Sequence, residues 1–503
     1  MSLKYAPLAF LCFLFSIIPD IFAKKLDVNT DQVKQESVQN FLRKQKKFRI
    51  FIEFASGNGH QSSNIRLMHR LRELGFSGTF EIILDERFNN SLKMDAMLPG
   101  FKAALLSKKS TSLDPIGKVE IDTLNNFKNR PFESNPPINL LGSYDASISR
   151  EDFRGKDFIL LQPMNWLGPR MVIHNDHSIE LQDLNQSIQY LGISTDRDLS
   201  MSPEVLYSKG LKKLKGQRSP LNKNKIENLE WLKAHLNDFQ ILSTYSMDFT
   251  ENYISIFEKT IKALQQVAQA KGLPQKPILL LSLDNFQDIR FERLKSLAEK
   301  LNINFKSINQ QFSNADKGSF KKSQNSVNLI QVGALPSELF HSLLLSSDFP
   351  VFIEGQNAKD FMLKRGLPFI NTQGNTDVDL TIAEISHSLL NESPDKPKFK
   401  RPDWSFDFDD VFFRSTSNDT DVAKLSDFYK KALTKDPSIY ERFSKFKQNQ
   451  LTYKNDPVLI AFWNYIALRE DKEAYFPKEK SSIFNFCDSI LKTFIRPFRN
   501  LAP

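Results

Sequence analysis

The fold class is indicated by Phe48-Arg-Ile-Phe-Ile-Glu-Phe-Ala55 and the residues directly after it, Ser56-Gly57-Asn58-Gly59-His60. The first part is an apolar, β-rich run of strand length, and the glycines after it permit a sharp turn. From Gln61 onward the apolar side chains return at helical spacing, at Ile65, Met68, Leu71 and Leu74. Gly75 is well placed to end this helix, and Thr79 to Leu84 form a second apolar run. The pattern predicts a β-α-β unit with a right-handed crossover.

The same alternation returns in the second half of the chain. Runs of strand length are predicted over 277–283, 303–308, 327–332, 349–353 and 368–370. Helices are predicted over 291–301, 336–345, 357–364 and 378–390, and a polar loop over 311–325. Strands that alternate with helices are typical of a doubly wound parallel sheet. We therefore expect an α/β protein with two Rossmann-like, doubly wound domains that face a cleft.

The length of 503 residues is sufficient for two or three domains. The first Rossmann-like domain is predicted over 47–250, with a Lys- and Asn-rich insertion over 200–245, and the second over 273–395. An amphipathic helix over 251–271 connects them, and a helical segment is predicted over 421–503.

The N-terminus resembles a secretory leader. Lys4 precedes a nearly continuous apolar run from Tyr5 to Ile18, and Ala23 ends the segment before two lysines. The run is shorter than the roughly 20 residues of a spanning helix. Residues 1–23 are therefore expected to be a cleaved signal peptide, with an uncleaved anchor or a buried helix as the alternatives. The protein is expected to be exported or membrane-anchored, in a secreted, periplasmic or secretory-lumen location.

Composition limits the partners. The net charge of +9 suits an anionic ligand or surface, but no RNP, zinc-finger or helix-turn-helix pattern occurs, so no nucleic-acid partner is expected. The two cysteines, Cys12 and Cys487, leave one thiol if the leader is removed. Residues 482–496 combine Phe and Ile with basic side chains. This stretch is expected either to contact a membrane surface or to pack on the body of the protein.

The first candidate site is the loop of Gly57, Asn58 and Gly59 together with His60. The helix that follows supplies free N–H groups and a partial positive charge, which suit a phosphate or an acceptor carboxylate. His60 is a candidate general base near neutral pH. The loop lacks the third glycine of a dinucleotide fingerprint and the Gly-Lys of a P-loop. A tight turn with an exposed histidine is the alternative interpretation.

The second candidate site is Glu354-Gly355-Gln356-Asn357, which ends a buried strand and begins a helix. Ligands of doubly wound sheets bind at such strand ends. Gly355 permits close approach, Asn357 is expected to cap the helix, and the neighbouring amides suit a diphosphate. Glu354 or Asp360 is a candidate acceptor for ribose hydroxyls. An ordinary helix start is the alternative interpretation.

Other motifs give weaker indications. Gly333, in Gln331-Val-Gly-Ala-Leu-Pro336, is expected to face the same cleft or to form a structural turn. His174-Asn-Asp-His177 has no spacing typical of a metal site, so no metal is expected. No Gly-x-Ser-x-Gly elbow supports a hydrolase triad.

The pattern of a strand, Gly57-x-Gly59-His60 and a helix resembles the N-domain loop of GT-B glycosyltransferases, in particular the lipid II-forming N-acetylglucosaminyl transferase type. Residues 327–370, which end in Gly366-Leu-Pro, resemble the donor half of that fold. The resemblance implies that Gly57, Gly59 and His60 lie beside the acceptor and the donor phosphates. It also implies that Glu354, Gln356 and Asn357 bind the nucleotide ribose and diphosphate. Two departures are Phe361, where the family usually has Glu, and 282–286, which has no glycine.

The resemblance and the two sites together predict a metal-independent glycosyltransferase. It would move a sugar from a nucleotide-sugar donor to an unidentified acceptor hydroxyl, without a cofactor. His60 would deprotonate the acceptor or assist the leaving group. The alternatives are an exported solute-binding protein, a catalytically inactive GT-B-like protein and a nucleotide-sugar epimerase.

Overall fold

A computed structural model describes residues 31–53, 59–85, 87, 94, 97–107, 109–142, 157–161, 170–175, 177–181, 192–216, 222–245, 253–273, 276–284, 286, 288–321, 325–353, 355–371, 419–447, 451–453 and 455–470. The expected leader, the helix expected over 378–390 and the basic stretch over 482–496 lie outside these residues.

The described strands form two sheets. They are β1 Lys47–Ile52, β2 Thr79–Leu84, β3 Thr111–Leu113, β4 Gly117–Thr123, β5 Ile138–Leu141, β6 Phe158–Leu160, β7 Met171–His174, β8 His177–Glu180, β9 Gln240–Thr244, β10 Ile278–Ser282, β11 Asn304–Ser307, β12 Val327–Gln331, β13 Val351–Ile353 and β14 Phe369–Asn371.

Helices cover both sheets. They are α1 over 31–44, α2 Gly59–Glu73, α3 Phe101–Ser107, α4 Leu124–Lys128, α5 Asp196–Ser200, α6 Pro203–Gly216, α7 Asn222–His235, α8 Tyr253–Ala268, α9 Asp288–Lys300, α10 Asn314–Lys321, α11 Ser337–Leu345, α12 Gln356–Lys364, α13 Asp419–Leu433, α14 Pro437–Phe446 and α15 Pro457–Arg469.

The first sheet has a parallel centre. Its strand order is β3-β4-β2-β1-β5-β6-β7-β8, and every pair from β4 to β6 is parallel. The pairs β3–β4, β6–β7 and β7–β8 are antiparallel. The chain runs from β1 to β2 and β4 on one side of β1 and then returns to β5 on the other side. The order therefore reverses beside β1, and ligands of such sheets bind outside the carboxyl end of the strand at the reversal.

The second sheet has the order β11-β12-β10-β9-β13-β14, and its pairs are all parallel. From β9 the chain builds β10, β11 and β12 on one side and then crosses to β13 on the other. The reversal thus lies between β9 and β13, and α12 begins just after β13. The predicted α/β class with two mainly parallel, helix-covered sheets is confirmed.

Two segments differ from the sequence-based expectation. β9 lies in the middle of the second sheet, so residues 240–244 belong to that sheet rather than to an insertion of the first domain. The polar stretch over 311–325 contains helix α10, which begins with a reciprocal cap. The Ser313 N–H donates to Asp316 Oδ2 at 2.9 Å, and the Asp316 N–H donates to Ser313 Oγ at 3.1 Å. A cap of this kind supports a helix with few apolar residues.

The chain returns to the first domain near its described end. Val458 and Phe462 of α15 belong to the same buried cluster as Phe48 and Ile50 of β1. The rings of Phe48 and Phe462 meet edge to face at 5.6 Å. Helix α13 packs instead on α8 beside the second sheet. The helical return after residue 420 therefore connects the two domains.

Gly210→Ala is expected to destabilise the protein by about 1–3 kcal/mol, the usual effect of overpacking. The new Cβ would lie 2.6 Å from the backbone N of Leu339 in α11 and 2.7 Å from its Cγ. Gly318→Ala is the matched control, because this residue also lies in a helix and an added Cβ meets nothing within 4 Å. Alanine there should add up to about 1 kcal/mol through helix propensity. Urea unfolding measures both variants, and equal effects would contradict close packing of α6 on α11.

Candidate functional site

The two predicted site segments lie at the two sheet reversals. Helix α2 begins at Gly59, after the carboxyl end of β1, and α12 begins at Gln356, after the carboxyl end of β13. The first N–H groups of a helix have no partner within it and carry a partial positive charge. Each segment thus ends in a helix N-terminus at the edge of its sheet where ligands bind.

A hydrogen bond connects the two helices across the domains. Asn357 Nδ2 of α12 donates to Ser63 Oγ of α2 at 2.7 Å. The Ile193 N–H donates to Asn357 Oδ1 at 3.1 Å, so the amide side chain uses both ends. Gly192 fits closely here, because an added Cβ would lie 2.9 Å from Asn357 Oδ1. The structure therefore brings the starts of α2 and α12 together.

Asn357 does not cap its helix, so that expectation is wrong. The N-cap residue is Gly355, at φ 86° and ψ 133°, and Asn357 lies within the first turn of α12. A side chain that bonds to Ser63 and Ile193 is directed to the first domain and not to the amides of its own helix. The positive φ of Gly355 is a conformation that residues with a side chain rarely adopt.

The remaining predicted residues are placed only in part. Gly57, Asn58 and Glu354 lie outside the described residues, and for Gly59, His60 and Gln356 the structure describes the helical backbone alone. Gly355 is exposed, and an added Cβ there would meet nothing within 4 Å. Gly333 follows β12 with φ 68°, as expected for a turn. The catalytic role of His60 and the ligand roles of the other residues stay predictions.

Asp360 is held inside the protein. Its side chain is fully buried, and its Oδ2 accepts hydrogen bonds from Ser194 Oγ at 2.5 Å and Lys364 Nζ at 2.7 Å. The carboxylate therefore faces Ser194 and Lys364 and not solvent, and this placement does not fit the expected contact of Asp360 with ribose hydroxyls. Burial lowers the pKa of Arg170 to about 9, and the charge of Asp360 opposes that shift.

Two buried carboxylates were not predicted. Glu53 follows β1 directly, and Asp284 stands two residues after β10; both are almost fully buried. Gln331 Nε2 donates to the carbonyl of Phe286, two residues beyond Asp284, at 2.7 Å. Both residues could have been found from the sequence as acidic residues at the end of an apolar strand. Such positions merit attention because buried carboxylates are rare unless they are paired.

The polar face of α2 extends the interdomain contact. The Arg70 side chain is 1% exposed; its Nε donates to Asp456 Oδ2 at 2.8 Å and its Nη1 to Asp196 Oδ2 at 2.5 Å. Glu73 accepts from Arg70 Nη1 at 3.0 Å and from the Asp196 N–H at 2.9 Å. Asp456 in turn caps α15, because its Oδ1 accepts from the Val458 N–H. A single guanidinium thus joins α2, α5 and α15.

The described residues contain neither a cluster of metal ligands nor a membrane-spanning helix. No group of three or more His, Cys, Asp or Glu side chains in this part of the chain is arranged to hold a metal ion. No helix in the same residues has the length and apolar content to cross a membrane. His174 and His177, which were considered as metal ligands, pair with each other at the end of β7 and the start of β8.

Arg70→Met is expected to lower the free energy of unfolding by about 3–5 kcal/mol, because it leaves the buried Asp456 carboxylate without its cation. Lys47→Met is the control. The Lys47 and Glu120 side chains are 37% and 40% exposed, and removing such a pair changes stability by about 0–1 kcal/mol. Urea unfolding at neutral pH measures both variants. Similar losses would show that the Arg70 contacts do not hold α2 in place.

No protein-family model and no curated protein matches the chain. Among solved structures, it is similar to α,α-trehalose 6-phosphate synthase from Burkholderia multivorans, at 10% identity over 91% of this chain and 79% of that chain, with a TM-score of 0.29. It is also similar to a UDP-forming α,α-trehalose-phosphate synthase from Burkholderia vietnamiensis, at 10% identity over 86% and 100% of the two chains, with a TM-score of 0.33. The strand order of the two sheets by itself establishes the α/β fold.

Proposed function

We propose that the protein is a glycosyltransferase that moves a sugar from a nucleotide-sugar donor to an acceptor hydroxyl. The observation that supports this most is the meeting of two helix N-termini. Helices α2 and α12 begin at the reversal points of two parallel sheets, and the Asn357–Ser63 hydrogen bond joins them. A cleft between two such edges suits a ligand that carries a diphosphate between two larger groups.

The donor half of the proposed site is the start of α12. The amides that follow Gly355 would hold the diphosphate, and the absence of a Cβ at Gly355 lets the phosphate oxygens approach the backbone. Glu354 and Gln356 are proposed to bind the nucleotide ribose. Because the Asn357 side chain is already bonded to Ser63 and Ile193, its proposed part is to hold α12 in place while the amides bind the donor.

The acceptor half is the loop of Gly57, Asn58 and Gly59 together with His60. His60 lies in the first turn of α2, which begins at the reversal beside β1. In the proposed reaction, the acceptor oxygen forms a bond to the anomeric carbon, and the bond from that carbon to the diphosphate oxygen breaks. The acceptor proton passes to the His60 imidazole. The nucleoside diphosphate leaves with the bonding electrons.

The proposed transfer uses no metal. The departing diphosphate gains negative charge, and the helix N-termini of α2 and α12 present fixed N–H dipoles toward that charge. Such preorganised donors need no rearrangement during the reaction. We further propose that residues 1–23 direct the protein to export or to a membrane.

A nucleotide should stabilise the full-length chain. UDP, GDP, dTDP, CMP and ADP, each alone and as its sugar conjugate, are tested by thermal unfolding, since a ligand that binds only the folded state raises the Tm. One nucleotide is expected to give a shift that its sugar conjugate also gives. If none shifts the Tm of the folded chain, the donor site does not exist, and a solute-binding or inactive protein becomes the better hypothesis.

Substitutions should separate binding from turnover. Glu354→Ala is expected to abolish the nucleotide-dependent shift, because the ribose contact is lost. His60→Ala should keep the shift and reduce turnover by about 10²–10⁴-fold, the usual contribution of a general base. His177→Ala, an exposed histidine in β8, is the control and should change neither quantity. Unchanged turnover in both Glu354→Ala and His60→Ala would refute the proposed site.

A further inference from the structure

A second contact between the domains joins α2 to α11. Arg66 Nη2 lies 2.6 Å from His341 Nε2, and Arg66 Nη1 donates to the Ile193 carbonyl at 3.4 Å. Both side chains are buried, His341 completely. The His341 ring stacks on Phe361 of α12, with centroids 4.1 Å apart and planes at 15°. His341 therefore contacts the first domain through Arg66 and the donor helix α12 through Phe361.

The contact determines the protonation state of the imidazole. A guanidinium only donates hydrogen bonds, so His341 Nε2 must accept, and the ring must be neutral with its proton on Nδ1. A protonated ring would direct an N–H at the Arg66 cation. Such an arrangement replaces a hydrogen bond with the repulsion of two like charges in a buried place.

Several charged groups surround the ring. The Asp198 carboxylate of α5 is 3.8 Å from His341 Nδ1 and favours a protonated ring. The Glu338 carboxylate on α11 also favours a protonated ring. It is itself paired with two cations, Lys213 Nζ at 2.6 Å and Arg197 Nη2 at 3.4 Å. Arg66 and Arg365 oppose protonation. Burial is the largest influence on the imidazole, and the direct contact with Arg66 adds to it, so the neutral ring is favoured.

The pKa shifts agree with this geometry. Burial lowers the pKa of His341 to about 4 from the ordinary 6.5, with Arg66 acting in the same direction. Burial also lowers the pKa of His69, on the next turn of α2, to about 4. We call the arrangement in which Arg66 of α2 contacts His341 of α11 the closed state, and the arrangement without this contact the open state. A group whose pKa is lowered in the closed state binds protons preferentially in the open state. The closed state is therefore fully stabilised above pH 6.5, and this stabilisation weakens as the pH falls toward 4.

We propose that His341 is an acid-released latch between the two domains: the neutral ring holds α2 against α11 through Arg66, and the protonated ring releases it. Release would separate the starts of α2 and α12, because His341 also packs on α12 through Phe361. The latch acts on the contact between the two domains alone and requires no transferase activity.

Hydrogen–deuterium exchange on the full-length chain tests the latch. Amide protection factors in α2 and α11, corrected for the intrinsic exchange rate, are compared at pH 7.5 and pH 5.0. For one histidine that shifts from 6.5 to about 4, the opening constant rises roughly 30-fold between these pH values. His341→Gln keeps a neutral amide acceptor near Arg66 that does not titrate. The opening constant of His341→Gln should therefore rise less between the two pH values than that of the wild type, and the difference should equal the factor expected for His341. The contribution of His69 is the same in both proteins and does not affect this difference.

Two further variants complete the design. Arg66→Met removes the donor, so α11 should lose protection already at pH 7.5. His177→Gln changes an exposed histidine of β8 and should respond to pH as the wild type does. Equal pH responses in the wild type and His341→Gln would overturn the proposal, as would unchanged protection in Arg66→Met. Acid titration of Glu73, whose pKa is raised by burial, acts in the opposite direction and is the same in all four proteins.

Discussion

The buried guanidinium of Arg70 is the interaction on which the arrangement of the domains depends. It lies on α2 and bonds to Asp196 on α5 and Asp456 at the start of α15. A buried charge is tolerated only where partners replace the lost water. Arg70 therefore requires α5 and the start of α15 to lie beside the same stretch of α2, and this requirement ties both segments to that helix.

Helix α2 thus has two buried faces, one that packs through apolar contacts and one that forms hydrogen bonds. Ile65, Met68 and Leu71 pack on the first sheet by apolar contact, which has little directional preference. Ser63 and Arg66 face the second domain and form hydrogen bonds of defined geometry. Apolar packing makes the first domain a stable unit, whereas the polar contacts determine how the second domain sits against it. Interfaces of the second kind are typical of domains that move relative to one another.

The same helix connects stability to the candidate site. Its N-terminus is at the reversal beside β1, and its later turns carry Arg66 and Arg70. The side chains that hold α2 in place and the helix start at the candidate site therefore belong to one rigid element. The backbone of α2 also lies close to the end of β5. At Gly142, after β5, an added Cβ would lie 2.9 Å from the Ser63 carbonyl. A side chain at position 142 would therefore require α2 to shift away from the end of β5.

Much of the fold was predictable because its signals are local. Apolar periodicity over 48–84 and 277–370 determined the strands, the helices and the α/β class. Glycines after β1 and β13 located the two candidate segments. Helix α10 was not predicted because its N-terminal cap stabilises a helix in a stretch of polar composition. Strand β9 was not predicted because its place in the middle of the second sheet depends on the strands on either side of it. Only the tertiary structure decided that Asn357 bonds to Ser63, 294 residues away, and that Asp360 is buried. Hydrogen bonds between distant residues depend on how two domains are placed, and no local pattern of side chains records that placement.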